Sequence, residues 1–328
     1  MQLMLPMEYL ADAIKLVKTS TSRVYLIGLT IFRDDVTKEF IDVIVDAARR
    51  GVDVHVAADF MTFTYSIKGI KSLPLTYRAK SLRATTDLQK EFKAAGVKFR
   101  WLGQHTGPLF TGRTHSKWLV VDDTVFSFGG VNTESNAFTK HVDYMFKIQD
   151  NDLADLLAKE HLAVEKADRT RQSARNHRKL MSVGTVLFDG GRPGRSIIYN
   201  TALKLAESAS EILLVSQYCP TGKLGKILNQ KPSQVYFNQL KNVDSRGNRM
   251  IIRIGKLRQH FTNLYRHKKY LHAKFMIFTM PDGSRQAITG SYNFVAATAR
   301  LGTREVALVT SDESAISQLE KFWRENIK

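Results

Sequence analysis

The chain has 328 residues, 43% of them hydrophobic, with 49 Lys or Arg against 31 Asp or Glu and a formal charge of +18. That length carries two packed domains of about 160 residues each, and 18 Phe, 11 Tyr and 3 Trp spread along it exclude a disordered protein. One cysteine, Cys219, excludes an intrachain disulfide scaffold and a thiolate zinc ribbon.

No apolar run nears the ~18 to 20 residues of a bilayer span, and Met1 to Met7 lacks the basic start of a secretory signal, so a non-integral protein without a cleaved leader is expected. The first unit then predicts a helix over Glu8 to Lys18, a strand over Arg23 to Leu29, a helix over Thr37 to Arg50 and a strand over Val52 to Ala58. This is the alternation of an α/β domain. In its last strand Asp53 and His55 alternate with Val52, Val54 and Val56. Residues 60 to 95 have no clean period until a short helix at Thr86 to Ala95, after which Val97 to Leu102 reads as a strand.

A helix at Asn151 to Lys166, a basic stretch from Arg169 to Leu180 and a glycine-rich loop from Phe188 to Ser196 come next. The opening order then returns as a helix at Asn200 to Ser208, a strand at Glu211 to Ser216, a helix near Gln234 to Val243 and a strand at Arg249 to Ile254. "KTSTSRVYLIGL" and "AESASEILLVSQ" occupy matching places, so an internal duplication is the economical reading. The expected units are residues 1–165, a basic linker 166–197 and a second domain 198–328.

Each half ends in the same kind of segment. His115, Lys117 and Asp122 precede Gly129, Gly130 and Asn132 in "THSKWLVVDDTVFSFGGVN"; His272 and Lys274 precede Gly290, Ser291 and Asn293 in "LHAKFMIFTMPDGSRQAITGSYN". The apolar run after each Lys predicts a buried strand with His and Lys on one face, and a turn returns the chain so that the Asn comes beside them. A lone His beside a Lys is most simply a packed imidazole and a snorkelling ammonium. Two copies 157 positions apart, in matching places of a duplicated fold, point to chemistry instead.

Opening a phosphodiester takes a nucleophile, an acid for the leaving oxygen and cations around the phosphoryl oxygens. Two His, two Lys and two Asn supply these without a metal or cofactor. One imidazole attacks phosphorus while the other protonates the departing alcohol and later serves as base. Each His also needs an acceptor that fixes its tautomer. Asp143 and Glu305 are the candidates, 28 and 33 residues after His115 and His272 respectively. Asp122 is expected to hold the turn by local hydrogen bonds.

The two segments resemble the His-x-Lys-x4-Asp signatures of the phospholipase D superfamily, and the order of "VYLIGLTIFRDD", "AARRGVDVHVAAD" and "ILLVSQYCP" around them is similar to bacterial cardiolipin synthases and related phosphatidyltransferases. The resemblance implies two similar α/β/α sandwich domains, mixed sheets flanked by helices, related by a pseudo-twofold, with the active site between them. It also implies His115 as nucleophile and His272 as general acid. The second segment departs from the pattern, with Thr279 at the Asp position and Asp282 three places later; Gly130 stands where the other copy has Ser291, which is expected to remove a hydroxyl from one phosphate wall.

The charge is concentrated. Between Lys223 and Lys269 there are 12 Lys or Arg and one acid, Asp244, and Arg169, Arg171, Arg175, Arg178 and Lys179 form a second cluster. The preferred expectation is phospholipid chemistry by a cytoplasmic protein held peripherally on the anionic inner membrane face, with Phe60 to Tyr65 and Ile67 to Leu75 as interfacial loops. The alternative is a nuclease whose basic surface follows the nucleic-acid backbone, with Tyr236, Phe237, Phe261 or Tyr265 stacking on bases. A third reading is an inactive phosphate-binding scaffold. The head group, the acceptor and the oligomeric state are left open by the sequence.

Overall fold

A computed structural model describes residues 1–60, 62, 75–103, 112–243, 246–258 and 262–328, with the backbone alone over 75–82, 246 and 258. Strands β1 (Gln2–Met4), β2 (Arg23–Gly28), β3 (Asp53–Asp59), β4 (Lys98–Leu102), β5 (Trp118–Val121), β6 (Thr124–Ser127) and β8 (Met145–Gln149) form one sheet in the order β1-β8-β6-β5-β2-β3-β4. The second sheet contains β9 (His177–Met181), β10 (Gly184–Gly190), β11 (Glu211–Val215), β12 (Ser233–Tyr236), β14 (Phe275–Thr279), β15 (Arg285–Gly290) and β16 (Arg304–Thr310). Its order β10-β16-β15-β14-β11-β12 repeats β1-β8-β6-β5-β2-β3, and in each half the last pair is parallel and the others antiparallel. The expected duplicated α/β architecture is therefore present. The short strands β7 (His141–Val142) and β13 (Tyr270–Leu271), one from each half, pair in parallel outside both sheets.

Strand alternation sorts side chains into three cores. Tyr25 and Ile27 of β2 and Phe275 and Ile277 of β14 face a core shared by both sheets. Val24 and Leu26 face an outer core with helices α1 (Pro6–Thr19) and α2 (Lys38–Arg49), where Leu10, Ala13 and Val17 follow helical spacing. Met276 and Phe278 face the other outer core. Outside the sheets of the first half lie α3 (Leu75–Ala94) and α4 (Ser135–Thr139). The shared core is filled by Leu153, Leu157 and Val164 of α5 (Asn151–Arg169) and by two C-terminal helix turns described below. In the second half α6 (Ile197–Ser208), α7 (Gly222–Gln230) and α8 (Arg246–Arg258) pack on the outer core through Ile198, Leu224 and Ile252. After the short α9 (Ala296–Leu301), α10 (Glu313–Asn326) adds Ile316, Leu319 and Phe322 to the shared core. Asp150 and Asp312 cap α5 and α10, accepting from Leu153 N and Ser314 N at 2.9 Å.

Three sequence expectations change. Residues 233–236 are a strand and 246–258 a helix, the reverse of the expected types. Pro232 delimits "SQVY", which pairs with β11, whereas "RMIIRIGKL" buries only Ile252 and Gly255 and turns Met250, Ile251, Ile254 and Leu257 outward. The expected linker 166–197 contains β9 and β10, and β10 lies between β9 and β16 inside the sheet. Of its basic residues, Arg178 and Lys179 fall on β9, exposed on an edge strand that charge protects from further pairing. Of the supposed interfacial loops, Phe60 packs against the first outer core and Thr62 is buried, while 61 and 63–74 lie outside the described residues.

Candidate active site

The two His-Lys segments lie just before β5 and β14, in extended chain that the opposite half holds. His115 N and Ser116 N both donate to Arg304 O, at 2.8 and 3.0 Å; His272 N and Ala273 N both donate to Val142 O, at 2.9 and 3.0 Å. The parallel bridge Thr114–Arg304 and the β7–β13 pair are thus two copies of one junction. Around the first, Arg113 Nη1 donates to Asp59 Oδ1 at 3.1 Å, Thr114 N to Asp59 Oδ2 at 2.7 Å, and Arg304 Nη1 lies 3.6 Å from Asp168 Oδ1.

This junction crosses the acids over. His115 Nδ1 is 2.9 Å from Glu305 Oε2, and His272 Nδ1 is 2.7 Å from Asp143 Oδ2, so each imidazole takes its carboxylate from the other half. Both bonds use Nδ1 and leave Nε2 as the ring nitrogen that no described residue bonds. The acids are fixed in turn. Asp143 Oδ1 accepts from Tyr144 N at 2.9 Å and Gly130 N at 3.2 Å. Glu305 accepts from Ser291 Oγ, and from Thr303 Oγ1 at 2.9 Å. Lys117 Nζ donates to His115 O at 2.8 Å and Lys274 Nζ to His272 O, which folds both buried ammonium groups back toward their histidines.

The two pairs act on one another electrostatically, the charge of Lys274 lowering the pKa of His115 and those of Lys117 and His115 lowering that of His272. Burial lowers both imidazoles, against the pull of Glu305 in the case of His115. For His272 the depression is deep, with Lys274 and His141 adding to burial. Burial also pushes Lys117 down to about 8, lowers Lys274 and raises Asp143, the last two drawing each other back. The halves are not equivalent: the His115 side chain is 14% exposed and that of His272 6%.

Asn132 and Asn293 follow β6 and β15 and are buried, each with an Oδ1 that has no hydrogen-bond partner among the described residues. Ser291 and Gly130 differ from expectation. The Ser291 hydroxyl faces Glu305 instead of an open wall, and the Gly130 backbone N–H does the corresponding work on Asp143. Asp122 has φ 52° and reaches across to the start of β2, accepting from Thr21, Ser22 and Arg23 N at 2.8 to 3.0 Å, instead of bonding within its own turn. Asp282 is exposed in the β14–β15 turn and bonds Ser284 N and Oγ at 2.9 and 2.6 Å, away from the cleft.

Sequence reasoning missed His141 and Glu134. The His141 ring lies 5.3 Å from that of His272, and period 2 from Asp143 was the available signal. Glu134 sits beside Asn132, and burial pushes it up to about 7. Tyr236, Phe237 and Tyr265 are at most 3% exposed, so these rings fill the interior and cannot stack on bases; Phe261 lies outside the described residues.

A family model described as "Cardiolipin synthase, PLD-like domain" matches residues 13–164. No curated protein matches the chain. Among solved structures, phosphatidylserine synthase of Haemophilus influenzae Rd KW20 is similar over 100% of this chain and 86% of its own, at TM-score 0.72 and 17% identity. Polyphosphate kinase from Porphyromonas gingivalis is similar over 98% of this chain and 49% of its own, at TM-score 0.63 and 10% identity. At those identities the likeness is one of fold. The matched sequence thus makes residues 13–164 similar to a cardiolipin synthase-type, PLD-like domain, and the duplicated topology repeats that fold in the second half.

Proposed function

We propose that the cleft between the halves breaks and remakes a phospholipid phosphodiester through a phosphohistidine. His115 Nε2 attacks phosphorus, the P–N bond forms, the P–O bond to the leaving alcohol breaks, and His272 Nε2 gives that oxygen a proton. Water or an acceptor alcohol then attacks phosphorus, His272 takes its proton, and the P–N bond breaks. Lys117 and Lys274 hold non-bridging oxygens, with Asn132 and Asn293 as neutral donors. The observation that carries this reading is the pair of crossed His–acid bonds, which fix Nδ1–H on each ring and keep Nε2 free. Burial keeps the attacking imidazole neutral. The anionic phosphodiester itself raises the partner ring's affinity for the proton it must deliver.

Lipid is favoured over nucleic acid by two observations. Among the described residues, Tyr236, Phe237 and Tyr265 within the basic stretch are buried. On α8 the exposed Met250, Ile251, Ile254 and Leu257 stand among exposed Arg249, Arg253 and Lys256, with no acid on the described helix, a face that suits an anionic leaflet. No helix of the described residues is long and apolar enough to cross a membrane, so contact through a surface helix is the fitting mode. The sequence match to a cardiolipin synthase-like domain points the same way. The test is incubation in EDTA with phosphatidylglycerol or cardiolipin vesicles and, separately, with labelled single-stranded and duplex DNA. Lipid conversion is expected. DNA cleavage without it reverses the substrate to nucleic acid, and no turnover of either leaves the phosphate-binding scaffold.

A further inference from the structure

Apart from the cleft, one buried group of titratable side chains has no part in the chemistry above. His55 on β3 and His161 and Glu165 on α5 bring one ligand atom each within 4.8 Å of one another. His161 and Glu165 are four residues apart and so share a helix face. His161 Nε2 is 3.5 Å from Glu165 Oε1, and His55 Nδ1 is 3.7 Å from Glu165 Oε2. The His161 side chain is fully buried, and neither of its nitrogens, nor His55 Nδ1, has a hydrogen-bond partner among the described residues. Two buried imidazoles with unspent nitrogens beside one buried carboxylate are costly unless something occupies the space between them.

We propose that His55, His161 and Glu165 bind a divalent transition metal, with Zn2+ the best fit, which pins α5 to the first sheet. Metal–ligand distances of about 2.0 to 2.1 Å in tetrahedral geometry place ligand atoms roughly 3.4 Å apart, so the three atoms, within 4.8 Å of one another as they stand, close in on an ion by modest side-chain movement. Two imidazoles and one carboxylate suit zinc and disfavour calcium or magnesium, which take oxygen. The surroundings also match a metal-bound histidine. His55 Nε2, the nitrogen turned away from the site, lies 3.4 Å from Asp53 Oδ1, and Asp53 is held by Lys98 Nζ and Tyr25 Oη, each at 2.6 Å. Such a carboxylate fixes the tautomer and direction of a ligating ring. The small shifts needed to bring all three ligands onto one ion are rotations of side chains about a fixed strand and helix. The fourth position is left to water. Because α5 lies in the core shared by both sheets, the ion would stiffen the element on which the halves meet.

The test uses the full chain, stripped with chelator and dialysed, then exposed to ZnCl2 and read by elemental analysis after gel filtration and by competition with a fluorescent zinc chelator. One zinc per chain is expected, with a higher melting temperature on loading. Glu165→Gln and His161→Ala should each lower zinc affinity by ~10-fold or more, and Asp53→Asn by ~10- to 100-fold through His55. His272→Ala, which alters the catalytic cleft and leaves this site intact, should keep its zinc. Glu165→Gln preserves side-chain shape, so it remains informative if His161→Ala does not fold. Substoichiometric zinc in the unmodified chain, unchanged affinity in Glu165→Gln, or loss of zinc in His272→Ala instead would each overturn the assignment. None of these readouts depends on turnover, so their failure is separate from failure of the phosphodiester reading.

Discussion

Replacing Gly130 with Ala tests whether the His272–Asp143 bond drives the reaction. A Cβ built on Gly130 would stand 2.6 Å from Asp143 Oδ2, 2.9 Å from Oδ1 and 3.0 Å from His272 Nδ1, where ordinary contacts begin at 3.4 Å. The glycine has no left-handed φ, so the backbone tolerates alanine and the clash falls on the carboxylate. Relieving it moves Asp143 by several tenths of an ångström or more and crowds His272 Nδ1 directly, which lengthens and misaligns the 2.7 Å bond. A hydrogen bond to a charged partner contributes about 1.5–3 kcal/mol, which corresponds to roughly 10- to 150-fold in rate. Steady-state kinetics on a short-chain, soluble phosphatidylglycerol should therefore show kcat lowered by that factor with KM little changed and the thermal melt close to that of the parent. Ser291→Ala removes only a hydroxyl from Glu305 and should cost less, about 5-fold for ~1 kcal/mol. Gly130→Ala with more than half the parental kcat would refute the role given to the acid.

Further outcomes follow from the same geometry. His115→Ala and His272→Ala should each lower turnover by ~10³-fold or more, given the usual size of nucleophilic and acid–base contributions; full activity in either would defeat the double displacement. Burial sets Lys117 near 8, so its ammonium is lost as pH rises through that value, and kcat/KM should fall on the alkaline side well before the ordinary lysine range. The same depression has a stability signature. Between about pH 8 and the unfolded lysine's value of ~10.4 the unfolded chain binds more protons, so the stability of the parent relative to Lys117→Met should rise with pH in urea titrations, and a falling difference would contradict it. For α8, Arg253→Gln with Lys256→Gln removes two basic groups each contributing about 1 kcal/mol near an anionic surface. Pelleting with phosphatidylglycerol vesicles should weaken by ~30-fold, while hydrolysis of a soluble phosphodiester is unchanged. Undiminished pelleting would remove α8 from the docking surface.

Much of the architecture was readable because it is written in local periodicity. The strand–helix alternation of the first unit and the matching "EILLV" and "RVYLIG" runs reveal a duplicated α/β fold, and the repeated His-x-Lys names the residues on which the proposed chemistry rests. What was hidden depends on docking. Chain order pairs His115 with Asp143 and His272 with Glu305, and the structure exchanges the two acids, because the choice is made by the β7–β13 pair and the Thr114–Arg304 bridge. The second half was misread between 222 and 258 because its repeat is shortened. Four residues after a proline serve as the strand, and an apolar "MIIRI" that looks like a strand is a helix exposing most of its apolar side chains. Tyr236, Phe237 and Tyr265, assigned to stacking, were misplaced for a related reason, since composition registers a ring near basic residues and not the direction in which it points.

The exchange of carboxylates between halves has a consequence for the newly made chain. When His115 leaves the ribosome its acid lies 190 residues downstream, and His272, when made, has an acid already present but on a body it has still to meet. A nascent or half-folded molecule therefore has imidazoles without their tuned environment and no assembled reactive centre. On the proposed mechanism the protein would become competent only on completing its final fold, and phosphate esters near it would be spared attack during synthesis.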